Sequence, residues 1–258
     1  KMKKNKCWVV KIGSALLTNN GEGIDKQLIS QWVEQIVSLQ AHNIDVVLVS
    51  SGSIVEGMKR LGWKDKPSDI HKLQAAAAVG QMGLVQAYES LFAKYNVQTA
   101  QVLLTRDNLI NSKHFENISA TLANLLDFGI VPVINENDTV ATEEIKFGDN
   151  DTLAALVANF LNAERLVILT DQHGVFDADP RKNANANLIE KIHFNDEKLE
   201  RVAGKTGGAL GSGGMYSKVM AAKQAAESDT ISNIAWGREK EVLTRIYQGE
   251  YIGTLIHC

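Results

Sequence analysis

The sequence predicts an α/β fold in which a mostly parallel sheet is covered by helices on both faces. Two observations carry this. Short apolar, β-branched runs alternate with longer helical patterns along all 258 residues. The runs are apolar on both faces rather than alternating, which is how strands buried between helix layers read. With only three prolines, no Pro/Ser-rich linker divides the chain. Its length suits one large domain or two closely packed lobes.

In order, strands are expected at 7–12 (CWVVKI), 46–50 (VVLVS), 100–104 (AQVLL), 131–135 (VPVIN), 166–170 (LVILT) and 230–235 (TISNIA). Helices are expected at 26–42, 69–95, 112–128, 151–162 and 215–228. The AAAA run at 75–78 reads as close helix packing. Residues 139–148 (TVATEEIKFG) break the alternation and read as a short hairpin. Residues 174–187 (GVFDADPRKNANAN) are polar and turn-rich, as in a long surface loop.

Composition narrows the function. Hydrophobic residues make up 45% and charged residues 22%, ordinary values for a soluble globular protein. A net charge of −3 argues against general nucleic-acid binding. Cys7 and Cys258 form no disulfide framework, and no Cys/His cluster has zinc spacing, so a reducing, cytoplasmic setting is expected. The start, KMKKNK, reads as a solvated tail, because no long apolar segment follows it. The most apolar helical run, 153–163, contains Asn159 and is about half a bilayer span, so no transmembrane segment or membrane partner is expected.

Polar clusters fall at the predicted strand ends, where open parallel sheets bind ligands. Lys11 interrupts an otherwise apolar strand and is followed by Gly13 and Ser14, which would let a ligand approach the backbone; a strand-end lysine reaching solvent is the plainer alternative. Ser50, Ser51, Gly52 and Ser53 supply hydroxyls and a helix start, and also suit an N-cap. Asn135 to Asp138 suit an Asx-type turn equally well, although Asp138 can pair with an ammonium. Asp149, Asn150 and Asp151 exceed what capping needs, and either aspartate can orient lysines or approach a metal. Thr170 and Asp171 close a fifth strand.

The densest signal lies between Gly204 and Gly214, where eleven residues hold six glycines and lead into MYSKVMAAKQAAE. A glycine-rich turn feeding a helix offers backbone N–H groups and a positive dipole end to an anion, with Lys218 one turn in. Phosphate is the expected ligand. The chain has no GxxxxGK[ST] P-loop, and no GxGxxG follows the first strand.

The segments VVKIGSALL, LVSSGSIVEG, AAVGQMGL, VPVINENDTVATEEIKFGDNDTLAALVA, LTDQHGVFDADPR and LGSGGMYSKVMAA, in this order, resemble the glutamate 5-kinases of the amino acid kinase family over nearly the whole chain. The resemblance implies a three-layer αβα sandwich with a mainly parallel central sheet. It implies a single amino acid kinase domain over 1–258, with an amino-acid-binding lobe at approximately 1–165 and a nucleotide-binding lobe at 166–258. The activity implied is ATP-dependent phosphorylation of the L-glutamate γ-carboxylate to L-glutamyl 5-phosphate, the first step of proline biosynthesis. Magnesium with the ATP, proline as feedback inhibitor and a homodimer or homotetramer are implied likewise. So is a short form lacking the C-terminal RNA-binding-like domain that many members carry. Acetylglutamate kinase and aspartokinase would share the lysines and the glycine loop, and a catalytically inactive sensor is a further alternative.

By the same resemblance, Lys11 lies beside the transferring phosphoryl group, Lys218 meets the nucleotide phosphates, and Asp151 holds both lysines. Ser51, Asp138 and Asn150, with Gly52 and Asn135 nearby, are expected at glutamate. Thr170, Asp171, Ser212, Gly213, Gly214, Met215, Tyr216, Ser217 and Lys218, together with Lys11, are expected at ATP. No side chain is assigned to a metal. The chemistry is consistent with this set. A carboxylate nucleophile, with a pKa of about 4.3, is already ionised and needs no general base. Two unit charges 4 Å apart repel by about 4 kcal/mol at an effective dielectric of 20. Neutralising that repulsion is worth roughly a thousandfold in rate.

Overall fold

A computed structural model describes residues 5–141, 150–205 and 214–258. Among these residues, eight strands form one sheet in the order β3-β4-β2-β1-β5-β7-β8-β6. They are β1 (Lys6–Ile12), β2 (Ile44–Ser50), β3 (Thr99–Leu104), β4 (Val131–Glu136), β5 (Arg165–Thr170), β6 (Lys191–His193), β7 (Ile231–Trp236) and β8 (Thr254–His257). The first five and β7 run parallel. β8 turns antiparallel against β7, and β6 pairs parallel to β8. The six predicted strands are all present. β6 and β8 are additions of three and four residues.

Strand periodicity assigns the two faces. On β1, Trp8, Val10 and Ile12 enter one core, packed with Trp32 and Ile36 of the helix Lys26–Ala41 and with Leu84, Tyr88 and Phe92 of the helix Ile70–Ala93. Val9 points the other way, into a second core built from the helices Asp151–Leu161, Glu197–Lys205 and Met215–Ala226. Lys11 shares the parity of Val9, so it faces the layer that carries Asp151 and Lys218. In-register pairing then sets the strand ends side by side: Ile12 opposes Ser50 of β2 and Leu169 of β5.

Two glycines fix the helix that follows β2. A Cβ on Gly57 would lie 1.7 Å from the Ala76 carbonyl oxygen, and one on Gly80 would lie 1.7 Å from the Ser53 carbonyl oxygen. The helices Ser53–Arg60 and Ile70–Ala93 therefore touch backbone to backbone, as the alanine run suggested. Asp69 caps the longer helix by accepting from the His71 and Lys72 N–H groups.

The segment 174–187 is the expected loop, tied down by an Asp179–Arg181 ion pair and by Asp177 accepting from the Asn187 N–H. The hairpin expected at 139–148 lies almost wholly outside the described residues.

Candidate active site

The strand ends converge on a buried charge cluster. Lys11 and Asp151 are fully buried, and Lys218 is nearly so. Asp151 is the first residue of its helix, where the positive dipole end favours a carboxylate. Its Oδ1 meets the Lys11 ammonium at 2.7 Å, and its Oδ2 accepts from Lys218 Nζ at 3.2 Å. Two ammonium groups thus share one carboxylate at the strand ends, an arrangement suited to meeting an anionic ligand.

Lys218 sits in the first turn of the helix Met215–Ala226. Gly214 precedes that turn and has no side chain with which to cap it, and a helix start of this kind offers N–H groups to an anion. Met215, Tyr216 and Ser217 are half-buried on the same turn. Ser212 and Gly213 lie outside the described residues. Thr170 is buried at the end of β5 and donates to exposed Asp171 at 3.2 Å. β5 is the direct neighbour of β1, with Ile168 opposite Lys11.

A cavity of about 120 Å³ is lined by Ser51, Gly52, Asn135, Asp138 and Asn150, which are all five residues expected at the amino acid. Gly52 has φ +98°, in the left-handed region, and a Cβ there would come within 3.0 Å of Leu17. Only glycine makes this turn without strain. Ser53 Oγ donates to Asp138 Oδ2 at 3.1 Å. Asn150 Nδ2 donates to the Ser50 carbonyl at 3.0 Å and to Asn135 Oδ1 at 2.6 Å. Below them, Ser50 Oγ is within 2.9 Å of the Tyr88 hydroxyl, whose pKa is raised by complete burial.

Asn150 and Asp151 are consecutive, so one helix start places an amide in the cavity and a carboxylate between the lysines. Sequence reasoning missed Lys66 and Met58 in the cavity wall. Neither belongs to a recognisable pattern; Lys66 comes from an exposed loop that only the tertiary fold brings over the cavity. Among the described residues, no group of three His, Cys, Asp or Glu side chains is placed to hold a metal ion. No described helix is long and apolar enough to cross a membrane.

The sequence profile of the Amino acid kinase family matches residues 6–234. The chain belongs to the amino acid kinase family. Among its relatives are the glutamate 5-kinase of Hydrogenovibrio crunogenus, 58% identical over 253 residues, and that of Stutzerimonas stutzeri, 57% identical over 249 residues. These alignments take in 98% and 96% of this chain and 67% of each relative, so the chain spans about two thirds of their length.

Two other kinases share the architecture. A UMP kinase from Bacillus anthracis superposes with a TM-score of 0.69 at 17% identity, covering 99% of this chain and 97% of the other. A carbamate kinase from Giardia lamblia bound to AMP-PNP also gives 0.69, at 15% identity, covering 98% of both chains. At those identities the likeness concerns the fold. The amino acid kinase fold is thus a mainly parallel sheet with helices on both sides, as the sequence predicted.

Proposed function

We propose that this chain transfers the γ-phosphoryl group of ATP to the γ-carboxylate of L-glutamate, giving ADP and L-glutamyl 5-phosphate, the opening reaction of proline biosynthesis. One observation carries the reading: a cavity lined by ammonium- and carboxylate-binding groups opens beside a buried two-lysine cluster. The naming of relatives at 57–58% identity as glutamate 5-kinases supports it.

A carboxylate oxygen of glutamate attacks the γ-phosphorus as the bond to the bridging oxygen of ADP breaks. No proton has to move. Positive charge and alignment are what the protein supplies. Lys11, paired with Asp151 next to the cavity residue Asn150, serves the transferring phosphoryl group. Lys218 and the N–H groups of its helix serve the phosphates of the nucleotide, with Thr170, Asp171 and the segment 212–218 around the rest of ATP. Asp138 pairs with the α-ammonium, while Ser51, Asn135 and Asn150 orient the carbon skeleton. Gly52 keeps the backbone close. Asp151 already serves two lysines. Magnesium would neutralise the phosphates it accompanies.

In this reading residues 1–165 form the amino-acid lobe and 166–258 the nucleotide lobe. Proline, an α-amino acid, competes for the same ammonium and carboxylate contacts. Exposed Ile110 and Phe128, at the C-terminal ends of the helices Arg106–Ile110 and Ser112–Asp127, support self-association into a dimer or tetramer. The testing assay is coupled ADP release with L-glutamate, N-acetylglutamate and L-aspartate in parallel. Release with glutamate well above the other two is expected. Release with N-acetylglutamate or aspartate instead, or ATP binding with no turnover, would overturn the reading.

A further inference from the structure

We infer that Gln81 is a positioning residue for the amino-acid cavity, acting through the amide of Asn135. The inference rests on the proposed glutamate site. Gln81 lies on the helix Ile70–Ala93, within the stretch AAVGQMGL, and does not line the substrate cavity. Its Oε1 accepts from Asn135 Nδ2 at 2.8 Å. Its own Nε2 donates to Gln101 Oε1 at 3.1 Å.

Two backbone groups force the direction of this chain of amides. The Ser50 carbonyl can only accept, so Asn150 must turn Nδ2 towards it. The Glu136 N–H can only donate, so Asn135 must turn Oδ1 towards it, at 2.8 Å. The same Asn135 oxygen takes the second Asn150 hydrogen. The opposite end of the Asn135 amide is then its NH₂ group, and an acceptor must stand there. Gln81 Oε1 is that acceptor.

The consequence reaches the substrate. With both Nδ2 hydrogens of Asn150 directed at Ser50 and Asn135, whatever meets Asn150 Oδ1 must be a donor. Asn150, which lines the cavity together with Asp138, can therefore offer its oxygen only to a donor. That polarity matches an ammonium and mismatches a carboxylate. Gln81 is the outer anchor of the arrangement: without its oxygen, the Asn135 NH₂ group loses its acceptor and the side chain can swing, which loosens the hold of its Oδ1 on Asn150.

The test compares Gln81→Met, which keeps the length and deletes the acceptor, with Gln81→Glu, which keeps an acceptor at the same place. We expect Gln81→Met to raise KM for L-glutamate about tenfold, the scale of one lost hydrogen bond to a buried donor. KM for ATP and kcat should stay within about threefold, and Gln81→Glu should restore KM for glutamate to near the unsubstituted value. An unchanged glutamate KM in Gln81→Met would overturn the inference alone. So would equal losses in both variants, or a parallel rise in KM for ATP, because either would mark Gln81 as a general packing residue. Absence of glutamate-dependent ADP release by the unsubstituted protein would instead sink the substrate reading, and the inference with it.

Discussion

Asp151 stands between Lys11 and Lys218 and gives each a separate carboxylate oxygen, at 2.7 Å and 3.2 Å. The pair of lysines comes from distant parts of the chain, a strand in the first twelve residues and a helix near the end. A single buried carboxylate makes them neighbours.

Removing that carboxylate should be felt twice. Asp151→Asn keeps the shape and removes the carboxylate that two buried lysines share. Breaking a buried ion pair typically costs about 3–5 kcal/mol. We predict a clear fall in Tm by thermal denaturation, and a kcat lowered by about a hundredfold or more as the lysines drift apart. An unchanged Tm would mean the charges are compensated elsewhere.

Lys218→Ala should act on the chemical step. Loss of a preorganised charge at the phosphates is worth a few kcal/mol, so kcat should drop by about 10² or more. ADP release under saturating substrates measures it. Turnover at the unsubstituted rate would refute the assignment.

Asp138→Ala should separate the two substrates. KM for glutamate should rise much more than KM for ATP, since Asp138 lines the amino-acid cavity and is oriented by Ser53. Initial-rate kinetics with each substrate varied in turn decides this; equal effects on both would place Asp138 elsewhere.

Gly80→Ala should damage the site from behind. Its added methyl would drive into the Ser53 carbonyl, and Ser53 carries Asp138. Overpacking of this kind costs about 1–3 kcal/mol. A lower Tm and a raised KM for glutamate are expected. Gly204→Ala, where nothing lies within 4 Å of the new carbon, should leave the Tm unchanged or slightly higher.

The sequence made the site legible where a residue contradicted its surroundings. Lys11 was conspicuous as a charge inside an apolar strand, and Asn135, Asn150 and Asp151 because they crowd strand ends beyond capping needs. The six long strands were equally plain from their apolar runs. β6 and β8 were not, because KIH and TLIH are too short to show a period and gain their place only by pairing beside β7. Gln81 was hidden for a different reason. It sits in an alanine-rich helix as an ordinary polar residue, and its use depends on the amide directions that Ser50 and Glu136 impose. Lys66 and Met58 reach the cavity through tertiary folding alone.

The convergence of two cations on one phosphoryl transfer is tested most directly by trapping the product. L-glutamate, ATP and hydroxylamine would be incubated with the unsubstituted protein and with the Lys11→Met, Lys218→Met double variant, and γ-glutamyl hydroxamate measured in each. We predict hydroxamate matching ADP release with the former and none above background with the latter. Comparable hydroxamate from both proteins would contradict the central role given to the two lysines.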